Sequence, residues 1–119
     1  RRTFLATRVQ QLAADYPAKH FDKAMVVNVL HHLNDSECID LLASLSTLVK
    51  GTIVLTDADR DANRGVQAVL LNSDPGSHMR SSAELVELVS RVLKVDEIGQ
   101  FTARSKSVVL VTLGCRPKE

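Results

Sequence analysis

The chain has 119 residues, 45% of them hydrophobic and 3% aromatic, with 15 basic and 14 acidic side chains and a formal net charge of +1. That length suits one domain with a core of Leu, Val, Ala and Ile. The charge balance gives no electrostatic case for nucleic acid or an anionic membrane surface, and no apolar run approaches the roughly 18 residues that span a bilayer.

Thr3 to Thr7 is short, apolar and strand-like. Val9, Leu12, Ala13 and Tyr16 follow at helical spacing, and Pro17 ends that run. Phe21 to Val27 is a continuous apolar run of strand length, which predicts burial on both faces, as in a parallel sheet. Asn34 and Glu37 have the spacing of a capping box. Behind them Cys38, Leu41, Leu42, Leu45, Leu48 and Val49 form one helical stripe. Lys50 and Gly51 then read as a helix end with a left-handed cap.

Thr52 to Thr56 is the next strand, followed by Asp57-Ala58-Asp59-Arg60. Ala62 to Leu71 reads as a helix, and Asn72 to Arg80 as a loop holding Pro75 and Gly76. Ser81 and Glu84 supply a second capping box. It opens a helix to Leu93 with Leu85, Leu88, Val89 and Val92 on its stripe. Val95 to Phe101 and Ser107 to Leu113 are strands joined by a short polar turn, which requires antiparallel pairing. This order predicts a single α/β domain over residues 1–119: a mostly parallel sheet with flanking helices and an antiparallel C-terminal hairpin.

Polar residues where buried parallel strands run out are candidate site residues. Asn28 breaks the strand from Phe21, and His31 and His32 follow at once. Adjacent side chains diverge, so one histidine is a candidate general base while the other faces core or solvent; packing or hydrogen bonding is the alternative for both. Asp57 can orient a substrate amine or hydroxyl, with Asp59 the weaker candidate; helix capping or pairing with Arg60 or Arg64 is the alternative for both. Arg80 suits a substrate carboxylate or phosphate, or a nearby Asp. The set His31, His32, His78 and Asp57 matches no metal-ligand spacing, so no metal is expected. Cys38 and Cys115 read as free thiols in a reducing compartment, which with no signal-peptide pattern gives a cytoplasmic expectation. There is no P-loop, nucleophile elbow or dinucleotide fingerprint.

The stretch Phe21-Asp22-Lys23-Ala24-Met25-Val26-Val27-Asn28-Val29-Leu30-His31-His32-Leu33 resembles the fourth strand of the class I S-adenosylmethionine-dependent methyltransferases. Asp74 to Leu85 looks like the loop and helix before that family's sixth strand, and the final hairpin like its sixth and seventh strands. The resemblance implies a partial Rossmann-like methyltransferase fold, the second half of the domain. The family's glycine-rich cofactor loop and ribose-binding acid have no counterpart in this sequence, and Thr7 or Arg8 stands where an Asp near the adenine is common.

By the same resemblance, Asn28, Val29 and Leu30 would lie beside S-adenosylmethionine, and His78 and Arg80 beside a small-molecule substrate. The family sheet is ordered 3-2-1-4-5-7-6. Without strands one and two, the fourth strand has a free edge. It would be covered by a missing N-terminal half, by Thr3–Thr7 moving in to give the order 3-4-5-7-6, or by a second copy. The expected function is methyl transfer to a small molecule by the intact parent protein, with these 119 residues alone inactive. The alternative is a non-catalytic, methyltransferase-like module that assembles with a partner or dimerises.

Overall fold

The computed structural model describes residues 7–60, 78–103 and 108–118. The strand expected at Thr3–Thr7 (apart from Thr7 itself) and the helix expected at Ala62–Leu71 lie outside the described residues, as do most of the Asn72–Arg80 loop and of the hairpin turn.

Helix α1, Val9–Asp15, leads through residues 16–23 into strand β1, Ala24–Val27. A single 3₁₀ turn, Leu30–His32, follows. Helix α2, Asp35–Leu48, returns to strand β2, Ile53–Ala58. Helix α3 is Ser82–Ser90, and strands β3, Leu93–Ala103, and β4, Val108–Pro117, close the described order.

The sheet is ordered β1-β2-β4-β3. β1 and β2 pair in parallel, while β4 is antiparallel to both β2 and β3. Three strands therefore run one way, and β4 alone runs against them from between two of them. The register of β3 on β4 slips between Val95 and Glu97, a bulge in an otherwise regular hairpin.

Both capping boxes form. Asn34 Oδ1 accepts from Glu37 N at 2.8 Å and Glu37 Oε1 accepts from Asn34 N at 2.9 Å. Ser81 and Glu84 make the same reciprocal pair at 3.1 and 3.0 Å. Each box fixes the phase of its helix, so the apolar stripe meets the sheet. Leu41, Leu42, Leu45 and Leu48 of α2 join Leu85, Leu88 and Val89 of α3 over Ile53, Leu55, Val111 and Leu113 of the strands, in one buried cluster. α1 packs against α2. The third helix ends earlier than its periodicity predicts, because Leu93 turns into β3 and is buried there.

Two expectations change. Helix α2 has no left-handed glycine cap: its C-cap, Val49, is extended. The left-handed residue is Lys19, at φ 58°. Its backbone N–H donates to Thr47 O at 2.8 Å and its Nζ to Ser46 O at 2.6 Å, placing a cation on the carbonyl end of the helix. Gly51 is required for space instead, since a Cβ there would meet the Asp22 carbonyl oxygen at 2.5 Å.

The second change is in β1. Met25 is 70% exposed and Val27 47% exposed, while Ala24 and Val26 are partly buried. Continuous apolarity implied two covered faces; among the described residues, the helices cover only one.

Candidate active site at the ends of β1 and β2

The chain leaves β1 through Asn28, whose φ is 56°. This left-handed conformation is tolerated by Asn better than by other residues with a Cβ. It turns the backbone sharply while Asn28 N–H still donates to Thr56 O at 2.9 Å, continuing the ladder with β2. The 3₁₀ turn then closes through His32 N to Val29 O and Leu33 N to Leu30 O, both at 3.0 Å.

Asp57 reaches this turn from the neighbouring strand. The sequence placed Asp57 beyond a strand ending at Thr56; β2 in fact runs on through Ala58, so Asp57 is a strand residue and buried. Its Oδ2 accepts His31 N–H at 2.8 Å, and its Oδ1 lies 2.6 Å from His31 Nδ1 and accepts Ala58 N–H at 2.9 Å. A carboxylate only accepts, so Nδ1 carries a proton toward Asp57, and in the neutral ring Nε2 is the nitrogen with the lone pair. The His31 side chain is 17% exposed and that of Asp57 4%.

The two histidine rings do not diverge. Their centroids are 4.0 Å apart and their planes 42° from each other. A 3₁₀ turn is tighter than an α-helix or a strand, and the rings meet across it. His32 is exposed, and Asp57 holds His31.

Arg80 reaches the carbonyls of the same turn. Its Nη1 donates to Leu30 O and its Nη2 to Leu33 O, both at 2.9 Å, while Nη2 and Nε also donate to Asp35 Oδ1 at 2.8 and 3.2 Å. The guanidinium thus pairs with a nearby Asp, the alternative weighed from the sequence. His78 enters through its backbone, its N–H donating to His31 O at 2.6 Å. The Cys38 thiol approaches the same two carbonyls, Leu30 O at 3.6 Å and Leu33 O at 3.8 Å. Burial pushes that thiol's pKa up, opposed by the charge of Arg80. Asp59, also buried, accepts from Gln100 Nε2 at 3.2 Å across the sheet.

The three residues assigned to the cofactor separate. Asn28 and Val29 are exposed at the strand end, a polar amide beside an apolar side chain, which suits the amino-acid part of S-adenosylmethionine. Leu30 is 1% exposed and belongs to the core, so its side chain does not fit that role. Val29 and Leu33 line a groove of about 640 Å³ with Arg8, Glu37 and Leu41. His78, Met79 and Arg80 line another of about 490 Å³ with Asp35 and Ala83. Asp35 and Cys38 were not singled out as site residues from the sequence. Nothing in local spacing reveals partners that lie 45 residues from Arg80 or that meet a turn only after folding.

Among the described residues, no helix is long and apolar enough to cross a membrane, and both cysteines are free and buried.

No family model and no curated protein matches the chain. Solved structures do. The 1,6-didemethyltoxoflavin-N1-methyltransferase of Burkholderia thailandensis, with bound 1,6-didemethyltoxoflavin and S-adenosylhomocysteine, superposes at a TM-score of 0.72 and 17% identity over 98% of this chain and 51% of its own. The N-methyltransferase NodS of Bradyrhizobium japonicum WM9, in complex with S-adenosylhomocysteine, gives 0.65 and 16% over 97% of this chain and 54% of its own. A SAM-dependent methyltransferase from Methanosarcina mazei gives 0.65 and 14% over 87% and 63%. The chain therefore spans between about half and two thirds of the length of these structures. At such identities the likeness is one of fold: the chain folds as a part of the class I, S-adenosylmethionine-dependent methyltransferases.

Proposed function

We propose that the protein transfers a methyl group from S-adenosylmethionine to a nitrogen or oxygen of a small molecule, with His31 as general base and Asp57 holding it. The observation that carries this reading is the His31 Nδ1 to Asp57 Oδ1 contact of 2.6 Å at the carboxyl ends of two parallel strands. S-adenosylmethionine supplies, when bound, an electrophilic methyl group on a sulfonium. Asn28 and Val29 would hold it, and two solved neighbours that carry S-adenosylhomocysteine support the choice of cofactor.

The chain's own residues then do three things. Asp57 fixes the imidazole so that Nε2 is the proton acceptor. Nε2 takes the proton from the acceptor O–H or N–H as that atom attacks. The rigid turn keeps the base in place, so orientation supplies much of the rate.

The test is calorimetry with S-adenosylhomocysteine on the full-length protein, followed by rates for His31→Ala. Binding is expected, with His31→Ala slowing transfer roughly a hundredfold or more while leaving that binding unchanged. No binding at millimolar ligand would sink the proposal. These 119 residues alone are expected to show no turnover, because the structures they match are substantially longer.

One observation favours a second reading, a methyltransferase-like module that assembles with another chain or dimerises. Met25 and Val27 leave an apolar strip on an edge strand of the described sheet. Light scattering decides it: a chain that stays monomeric and captures no partner is not such a module.

A further inference from the structure

We infer that Arg80 is a positioning residue for His31, clamping the 3₁₀ turn through its carbonyls while Asp57 holds its donors. The inference rests on the reading of His31 as the base and adds the device that holds it.

Residues 78–80 take three carbonyls of the turn and its C-cap. Arg80 takes Leu30 O and Leu33 O, each at 2.9 Å, and the His78 N–H takes His31 O at 2.6 Å. Asp57 takes the donors of the same turn, His31 N–H and Nδ1–H. The base is thus held from β2 through its donors and from residues 78–80 through its acceptors.

The geometry suits the planar fork of a guanidinium. Leu33 O lies just past the end of a helical turn that does not continue, where a cation is favoured, and Leu30 O, which already accepts Leu33 N–H within the turn, takes Arg80 as a second donor. The planar fork spans both while Nε and Nη2 close on Asp35 at the start of α2. The side chain of Arg80 is 10% exposed and that of Asp35 66%, so the charge is neutralised where it is least hydrated. Residues 78–80 are themselves tied to the end of β2. Arg60 N–H donates to Arg80 O at 2.9 Å, and Asp59 and Arg80 form a parallel bridge. A displacement of this segment would therefore move the turn, and with it the imidazole.

The experiment compares wild type with Arg80→Ala and Arg80→Lys in the full-length protein, reading methyl-transfer kinetics and the NMR signal of the His31 Nδ1 proton. Arg80→Ala is expected to lower kcat roughly a hundredfold, the cost of a misplaced reacting group. KM for the acceptor and affinity for S-adenosylhomocysteine should stay as they are, and the Nδ1 proton signal should be lost to exchange. Added guanidinium ion should restore part of the rate. Arg80→Lys keeps the charge but not the fork and should remain slow; it also carries the test if Arg80→Ala does not fold. A variant that keeps both its kcat and its Nδ1 signal overturns the inference. So does one that loses rate while the signal persists, since Arg80 would then act elsewhere. If His31→Ala leaves methyl transfer intact while Arg80→Ala still loses the Nδ1 signal, the clamp stands and the base assignment falls.

Discussion

Asp57 holds His31 twice, by the backbone N–H at 2.8 Å and by the ring Nδ1 at 2.6 Å, across 26 residues of sequence. With Ala58 N–H also facing it, the buried carboxylate accepts three donors. Asp57→Asn replaces one oxygen with a group that donates, so one of the three loses its acceptor. Urea titration is expected to show a loss of about 2 kcal/mol. An unchanged midpoint would mean that the turn is held without the carboxylate.

Asn28 lets backbone and side chain be tested apart. Asn28→Gly suits the φ of 56° and should leave stability within about 1 kcal/mol of wild type. Asn28→Ala pays the left-handed penalty of about 1 kcal/mol. If the amide touches the cofactor, both variants weaken S-adenosylhomocysteine binding equally in calorimetry. If the residue serves only the bend, Asn28→Gly binds as wild type does.

Gly51 is fixed by contact. A Cβ would stand 2.5 Å from the Asp22 carbonyl, a backbone atom that cannot swing aside. Gly51→Ala is expected to cost about 1–3 kcal/mol in denaturant midpoint, through the passage from α2 into β2.

Cys115 sets an alkaline limit. Burial, helped by Asp96, raises its pKa from 9.0 to about 11. A raised pKa means that the folded state prefers the neutral thiol. That contribution to stability is complete below pH 9, where the unfolded thiol is also neutral, and is lost as pH climbs toward about 11. Thermal melts between those pH values should fall for wild type and fall less for Cys115→Ala.

What was legible in the sequence is what local rules govern. The spacings Asn34–Glu37 and Ser81–Glu84 became capping boxes, and the leucine stripe behind Asn34 became the core face of α2. The alternation of strands and helices and the short final connection announced a sheet with an antiparallel closing hairpin; that β4 lies between β2 and β3 was implied only by the family resemblance. What was not legible depends on partners distant along the chain. Lys19 closing α2 requires residues 27 positions away, and Arg80 meets Leu30 O across 50. Neither leaves a periodic trace. The open face of β1 was missed for a different reason: an apolar run shows that residues avoid water, not which element covers them. His31 and Asp57 were each legible as strand-end polar residues; their contact was not, because it depends on the parallel register that sets Val27 beside Thr56.

Among the described strands, β4 is the last to be synthesised, yet it lies inside the sheet with β2 on one side and β3 on the other. On the ribosome, β2 therefore waits without its inner neighbour until Val108–Pro117 has cleared the exit tunnel. Until then the growing chain has the β1–β2 pair but nothing to join it to β3, a state with exposed strand edges that chaperones recognise. Removal of Val108–Pro117 would leave β2 and β3 with nothing between them.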